Sequence, residues 1–412
     1  MIRAFNVWLN EIPTGQLVQQ EDGRVSFRFF EEYRQMLRRP VLGQFFEDDL
    51  LKTYRGKRNA LPAFFANLVP EGQLRELIEH SLGIPEGDDL ALLEAVGHDL
   101  PGAIEIQASL DTPQSEVGAG NGDVVPELPD AESEDAVLRF SLAGVQMKFS
   151  VVREGEKLAL AARDRRGEWI VKLDSTRFSH LAENEFATME WARAGGFTVP
   201  ECHLQPADSL PQTVRGHAIP NSRVYLIRRY DREADQRIHQ EDFAQVVGLP
   251  PKHKYNHVTF EQCALLVRYI AGHDEYLEFV RRLVFMVASG NVDAHLKNWS
   301  FIYPDAVQAK LSPMYDQVAT VAWPDLPLEL ALKFAGTKNL LKVDDVAFGR
   351  LAERAGVDPK ETMREVSETL GKIADAWRES AAVEIMAPEH VGALRDYWKR
   401  APLLKRHLAT IE

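Results

Sequence analysis

Two carboxylates, one amide and one lysine stand at spacings suited to moving a phosphoryl group. In GNVDAHLKNWSFIY, Gly290 to Tyr303, Asp293 and Asn298 are five positions apart. At that spacing one loop supplies a carboxylate to orient, and deprotonate, an attacking hydroxyl, and an amide oxygen for Mg²⁺. Asp316, in LSPMYDQVA, follows eighteen positions beyond Asn298, with an apolar strand between them. It supplies the further oxygen needed by a cation that is held through one or two carboxylates and phosphate oxygens. The Asp-x-x-x-x-Asn pair alone arises often by chance; the downstream aspartate strengthens it.

Such chemistry also needs a cation against nucleotide phosphates. Lys172, in WIVKLD, is flanked by Trp169, Ile170, Val171 and Leu173, and a buried ammonium is costly unless paired. Glu183 and Glu185 are its candidate partners, with Glu185 slightly favoured. Upstream, RFSLAGVQMKFS places Ser141, Gly144, Gln146 and Lys148 at a loop-to-strand junction, where glycine permits close approach of the backbone to phosphate. By itself this is a turn with a glycine. The segment YLIRRYDR, Tyr225 to Arg232, reads as an edge strand and hinge that meets adenine, Tyr230 stacking near it and Arg228 beside it, or as an ordinary strand ending in a turn. His295, between Asp293 and Asn298, has no second histidine at i+4 and no nearby cysteine, a poor case for a metal ligand. A hydrogen-bonding role in the loop, on the nucleotide side, suits it better.

These residues require a small sheet followed by helices. Strand-like runs occur at Phe149 to Val152, Leu158 to Ala162, Trp169 to Leu173 and Val224 to Arg229, with a helical stretch from Glu183 to Ala194 stopped by Gly195-Gly196. Further on, Met363, Val366, Leu370, Ile373 and Trp377 step by three and four along one helix face, and a last helix is expected over 389–407. Ahead of all this lie strands at Phe5 to Leu9 and Arg24 to Phe29, joined through Glu21-Asp22-Gly23, then a helical pattern from Leu61 to Leu82 with Leu74, Leu77 and Ile78 on one face. Within it, LPAFFANLVPEG reads as core plus a helix boundary. Between Asp111 and Asp135 there are eight acidic residues and no Lys or Arg, the composition of a flexible linker. The fold class expected is α+β and bilobal, kinase-like: an N-terminal subdomain over 1–107, the linker over 108–136, a small antiparallel lobe with one helix over 137–232, and a helical lobe over 233–412. HQEDFAQVVGLPPKHKY, His239 to Tyr255, is expected to be a helix and loop that covers the site or forms an approach for substrate, with most of its charges solvated.

The formal net charge of −14 argues against this chain alone as a general nucleic-acid binder. Two cysteines, Cys202 and Cys263, have no metal-type spacing. No signal-like start and no apolar run long enough to span a bilayer is evident, so the expected location is the cytoplasm, with no membrane partner.

The ordered set SLAGVQMKF, WIVKLD, ENEF, YLIRRYDR, QEDFAQVVGLPPKHKY, GNVDAHLKN and LSPMYDQVA resembles the HipA family of bacterial toxin kinases, and LPAFFANLVPEG is similar to that family's first subdomain. The resemblance implies a serine/threonine protein kinase that uses ATP and Mg²⁺. Asp293 would be the base, Asn298 and Asp316 the metal ligands, Lys172 an ATP contact, Gly144 and Lys148 part of the phosphate loop, and Ser141 a site of inactivating autophosphorylation. It also implies a protein substrate, typically an aminoacyl-tRNA synthetase, and a HipB-like DNA-binding antitoxin with which the chain represses its operon, so that DNA is met only indirectly. The long acidic linker and Arg228-Arg229 depart from the family pattern. A small-molecule kinase and a non-catalytic co-repressor are the alternatives.

Overall fold

The computed structural model describes residues 3–109, 147–154, 157–160, 167–233 and 236–408. They fall into two compact units, one of the described residues within Met1–Gly144, Asp231–His253 and Ile302–Gln308, the other of those within Val145–Tyr230, Lys254–Phe301 and Ala309–Glu412.

The first unit is built on an antiparallel sheet of β1 (Arg3–Leu9), β2 (Ile12–Gln19), β3 (Arg24–Phe29), β4 (Tyr54–Arg58) and β5 (Ile104–Ala108), in the order β4-β3-β2-β1-β5. Val25, Phe27 and Phe29 alternate inward from β3, the period-two signature of a strand with one buried face. They pack on Phe46, Phe64 and Phe65, with Phe27 and Phe65 ring centres 4.8 Å apart. LPAFFANLVPEG is therefore core, as its apolar bulk implies. The Glu21-Asp22-Gly23 turn joins β2 to β3; the intervening β2 has no clean sequence signal because it contains Pro13 and Gly15. Both have local reasons. The register with β1 shifts at Val7/Trp8, a bulge that accommodates Pro13 beside Thr14. A Cβ at Gly15 would lie 2.3 Å from the Arg28 carbonyl oxygen. The helical pattern over 61–82 divides into a short helix, Ala63–Ala66, and a second, Gly72–Leu82, on either side of Pro70. Leu74, Leu77 and Ile78 are half-buried on the second helix.

The expectation that the charges of 239–255 are mostly solvated is corrected by Glu241, which is fully buried, and by Lys254, also buried. Glu241 accepts a hydrogen bond from the Gln44 backbone N–H at 3.0 Å and another from the Tyr303 hydroxyl. Polar groups offered by distant segments allow a carboxyl inside this core. Asp242 instead caps the helix Phe243–Val246 in a reciprocal capping box with Gln245.

The second unit opens with the antiparallel sheet of β6 (Lys148–Glu154), β7 (Lys157–Leu160), β8 (Trp169–Lys172), β9 (Cys202–Pro206) and β10 (Arg223–Arg228), in the order β7-β6-β8-β10-β9. β10 pairs with both β8 and β9, so YLIRRYDR starts in an interior strand and the edge belongs to β9. The reason lies in Val224, Tyr225, Leu226 and Ile227, a continuous buried run rather than the alternation of a half-exposed edge. One face packs Val151, Trp169 and Val171 on Leu210 and Val214. The other packs Ile170, Tyr225 and Ile227 on the helix Leu181–Ala194 through Ala182, Phe186 and Met189.

Helices follow at Phe260–Ile270, His273–Ser289, Asp345–Ala355, Pro359–Glu379 and Pro388–Arg400. Val366, Leu370, Ile373 and Trp377 are buried from the fourth of these. The last helix stops at Arg400, short of the expected 407, because Pro402 disfavours helical backbone at the preceding Ala401. Among the described residues no helix is long and apolar enough to cross a membrane.

Candidate active site

Strand register lines up the cations. Lys148 on β6 is opposite Lys172 on β8, which is opposite Tyr225 on β10. Adjacent antiparallel strands therefore put both ammonium groups on one face. The same face meets the helix Leu181–Ala194, where Glu185, rather than Glu183, forms a buried ion pair with Lys172. Lys172 also pairs with Asp316, and Lys148 reaches the second Asp316 oxygen at 3.2 Å. Asp316 stands in the left-handed region at φ 52°, costly for a residue with a Cβ and held here by its surroundings.

The electrostatics follow from burial and pairing. Burial alone would lower the Lys172 pKa, but Asp316 and Glu185 outweigh it and hold the ammonium above its ordinary value. Burial opposes ionisation of Asp316, yet Lys148 and Lys172 hold it far below the usual carboxylate range. Glu185 is raised, because its burial outweighs the attraction of Lys172.

Asp293 and Asn298 come together in a loop after the helix His273–Ser289. The helix ends at Gly290, φ 66°, where an added Cβ would be 2.5 Å from the Val321 methyl carbons; glycine is required both for the left-handed stop and for the contact. Asn291 Oδ1 accepts from the Asp293 backbone N–H at 3.0 Å, and the Asn298 side-chain amide donates to the Asp293 carbonyl oxygen at 3.0 Å. Asn291 also donates to the Asp316 carbonyl oxygen at 3.4 Å, linking this loop to the aspartate held by the lysines. Burial pushes the Asp293 carboxyl up to about 7, with the Tyr255 hydroxyl bond and Lys254 acting against it. A carboxyl in this range serves as a proton acceptor near neutral pH.

His295 is buried, and burial together with Lys254 keeps it well below its ordinary pKa. Its backbone N–H donates to the Asp293 carbonyl oxygen at 2.7 Å, and its ring meets Tyr255 edge-on at 5.0 Å. Tyr230 packs beside Tyr315, ring centres 5.8 Å apart, next to Asp316. Arg228 is exposed, its guanidinium 3.9 Å from Glu201. Ser141, Gly144 and Gln146 lie outside the described residues. Tyr255 and Asn291 were not singled out from sequence; Tyr255 reaches Asp293 across 38 positions, which no local spacing reveals.

Among the described residues no group of three His, Cys, Asp or Glu side chains is arranged to hold a metal ion. The donor set of Asp316 and Asn298, one carboxylate and one amide, instead suits a hard cation that shares phosphate oxygens and water. Lys148 and Lys172 together match a polyphosphate.

The profile of the HipA N-terminal domain matches residues 5–107, and that of the HipA-like C-terminal domain matches 140–377. Y4dM of Sinorhizobium fredii, which carries a provisional kinase name, is 35% identical over 385 residues, covering 91% of each chain. The serine/threonine-protein kinase toxin HipA of Shewanella oneidensis is 26% identical over 309 residues, 67% of each chain. The solved structure of the Shewanella oneidensis HipA, HipB and operator DNA complex has a chain that superposes with a TM-score of 0.73 at 21% identity, covering 95% of this chain and 94% of that one, so the folds agree. With profiles matched along both parts of the sequence and a relative aligned over nearly its whole length, this chain belongs to the HipA family.

Proposed function

We propose that the chain is a serine/threonine protein kinase that uses ATP and Mg²⁺ and acts as the toxin of a toxin-antitoxin pair. The observation that carries this reading is the junction of Lys148, Lys172 and Glu185 at Asp316, tied through Asn291 to the loop of Asp293 and Asn298. Asp293 takes the proton of the attacking serine hydroxyl. Asn298 and Asp316 would hold the metal, which would supply electrophilic stabilisation of the phosphate oxygens. Lys148 and Lys172, which pair with Asp316 here, would neutralise nucleotide phosphates when MgATP is bound. Bound MgATP supplies the transferable γ-phosphoryl group and spreads its charge. Tyr230, Arg228 and His295 belong to the nucleotide side, with Gly144 and Gln146 in the phosphate loop. Phosphoryl transfer of this kind rests on positioning and electrostatics.

Ser141 is the autophosphorylation site whose modification inactivates the kinase. The substrate is a cellular protein, an aminoacyl-tRNA synthetase by family resemblance, and its modification arrests translation. The partner is a HipB-like antitoxin, which brings the chain to operator DNA; the fold shared with a HipA solved in complex with HipB and DNA supports this.

Intact-mass spectrometry after incubation with MgATP, followed by tryptic mapping, tests the reading. The parent should gain a phosphoryl group at Ser141 and phosphorylate a serine of a synthetase substrate. Asp293→Ala should lower transfer by about 100-fold or more. Nucleotide binding without transfer to any protein serine would overturn the assignment.

A further inference from the structure

We infer that Tyr255 is a positioning residue for Asp293, fixing which carboxylate oxygen faces the substrate hydroxyl; this rests on the kinase reading above. The Tyr255 hydroxyl donates to Asp293 Oδ1 at 3.0 Å. The other bonds given to Asp293 hold its backbone: its N–H donates to Asn291, and its carbonyl accepts from His295 and Asn298. None of these fixes the final torsion of the side chain, and for aspartate that torsion is soft. A donor on one oxygen sets it and directs the attacking hydroxyl to the other.

Tyr255 is itself held to the loop it serves. Lys338 Nζ donates to the Tyr255 carbonyl oxygen at 3.1 Å and to that of Ala331 at 2.9 Å. The Ala331 N–H donates to the Val292 carbonyl at 2.7 Å, beside Asp293. A closed frame thus runs from Asp293 through Tyr255, Lys338, Ala331 and Val292 back to Asp293. A second tie comes from the Leu296 N–H to the Lys254 carbonyl at 3.2 Å, and the Tyr255 ring rests edge-on against His295. A surface tyrosine making one chance bond would not be tied to the loop through its own backbone, its neighbour and its ring. The frame fixes where the hydroxyl points, and the hydroxyl fixes the carboxylate.

Tyr255→Phe keeps the ring and removes the donor. Steady-state transfer to a serine substrate should show kcat down about 10- to 100-fold with the KM for MgATP within about twofold of the parent, the pattern of lost orientation rather than lost binding. In an Asp293→Asn background, where residual transfer is measured by single turnover, Tyr255→Phe should add no further loss, because a residue acting through another has nothing left to act on. An unchanged kcat, a collapse of kcat and KM together, or a full additional loss in the Asp293→Asn background would overturn the inference while leaving the kinase reading intact. A parent without transfer overturns that reading, and this inference falls with it.

Discussion

Asp316, half-buried, and Glu185, fully buried, both stand beside Lys172, yet their pKa values move in opposite directions. Lys148 makes the difference: it gives Asp316 a second ammonium, whereas Glu185 must share Lys172. Of the candidate site, Lys172, Asp293, Asn298 and Asp316 stand out in the sequence as chemically demanding residues at a fixed interval from another or inside an apolar run, and Lys148 stands out beside a turn glycine. Tyr255 was not legible, because its role is defined by a contact and not by an interval. Glu241 escaped for the opposite reason: a carboxylate among polar neighbours reads as solvated until the fold closes over it. Burial pushes Glu241 up to about 8, against an ordinary value of 4.5, with the Tyr303 hydroxyl bond acting against the shift. Between those values the folded protein keeps a proton that the unfolded chain releases, so stability falls as pH rises. The contribution is full below 4.5 and is lost as pH passes through about 8, with a limiting slope of about 1.4 kcal/mol per pH unit. Glu241→Gln should abolish that slope. Urea unfolding of both proteins at pH 5, 6.5 and 8 should show the stability difference moving steadily in the variant's favour; a constant difference would refute it.

Strands were legible where period-two alternation or an apolar run was clean, as in β3, β6, β8 and β10, and illegible where close packing or a bulge demanded residues that break the pattern. β2 shows this with Pro13 and Gly15, and β9, CHLQP, hides between a loop and a proline. Whether a strand lies inside a sheet or at its edge depends on a partner that local sequence does not name. The helix His273–Ser289 was not singled out, although its final turn delivers the loop. Its glycine stop is open to a direct test. Gly290→Ala forces a Cβ into the left-handed region and against Val321, which should destabilise the protein by about 2 kcal/mol or more. Val321→Ala in the same chain should recover only the steric part of that loss. Full recovery in thermal unfolding would show that backbone conformation is not at issue.

At the scale of the molecule, the helix Pro388–Arg400 braces the second unit. Trp398 packs on Trp377 at 5.1 Å and on Trp191 at 5.9 Å, and its indole N–H donates to the Ala288 carbonyl oxygen at 2.7 Å. Tyr397 donates to the Val287 carbonyl at 2.7 Å. Both carbonyls belong to the final turn of the helix that leads into the Asp293 loop. Trp398→Ala should therefore cost about 3 to 5 kcal/mol, lowering the urea midpoint of the second unit and transfer activity together; a change in stability with undiminished activity would separate this end of the chain from the site. The first unit is not a contiguous stretch either, since it includes Asp231–His253 and Ile302–Gln308, and Asn67 donates to the Leu249 carbonyl at 2.8 Å, Val41 to that of Ala306. On a ribosome adding about 5 to 20 residues per second, the N-terminal sheet waits on the order of ten seconds or more for those later segments. The supports of the helix that leads into the Asp293 loop, Tyr397 and Trp398, follow the carbonyls they hold, those of Val287 and Ala288, by 110 positions. A nascent chain that has exposed the Asp293 loop but not yet Tyr397 and Trp398 thus holds that loop without the two bonds that brace its helix.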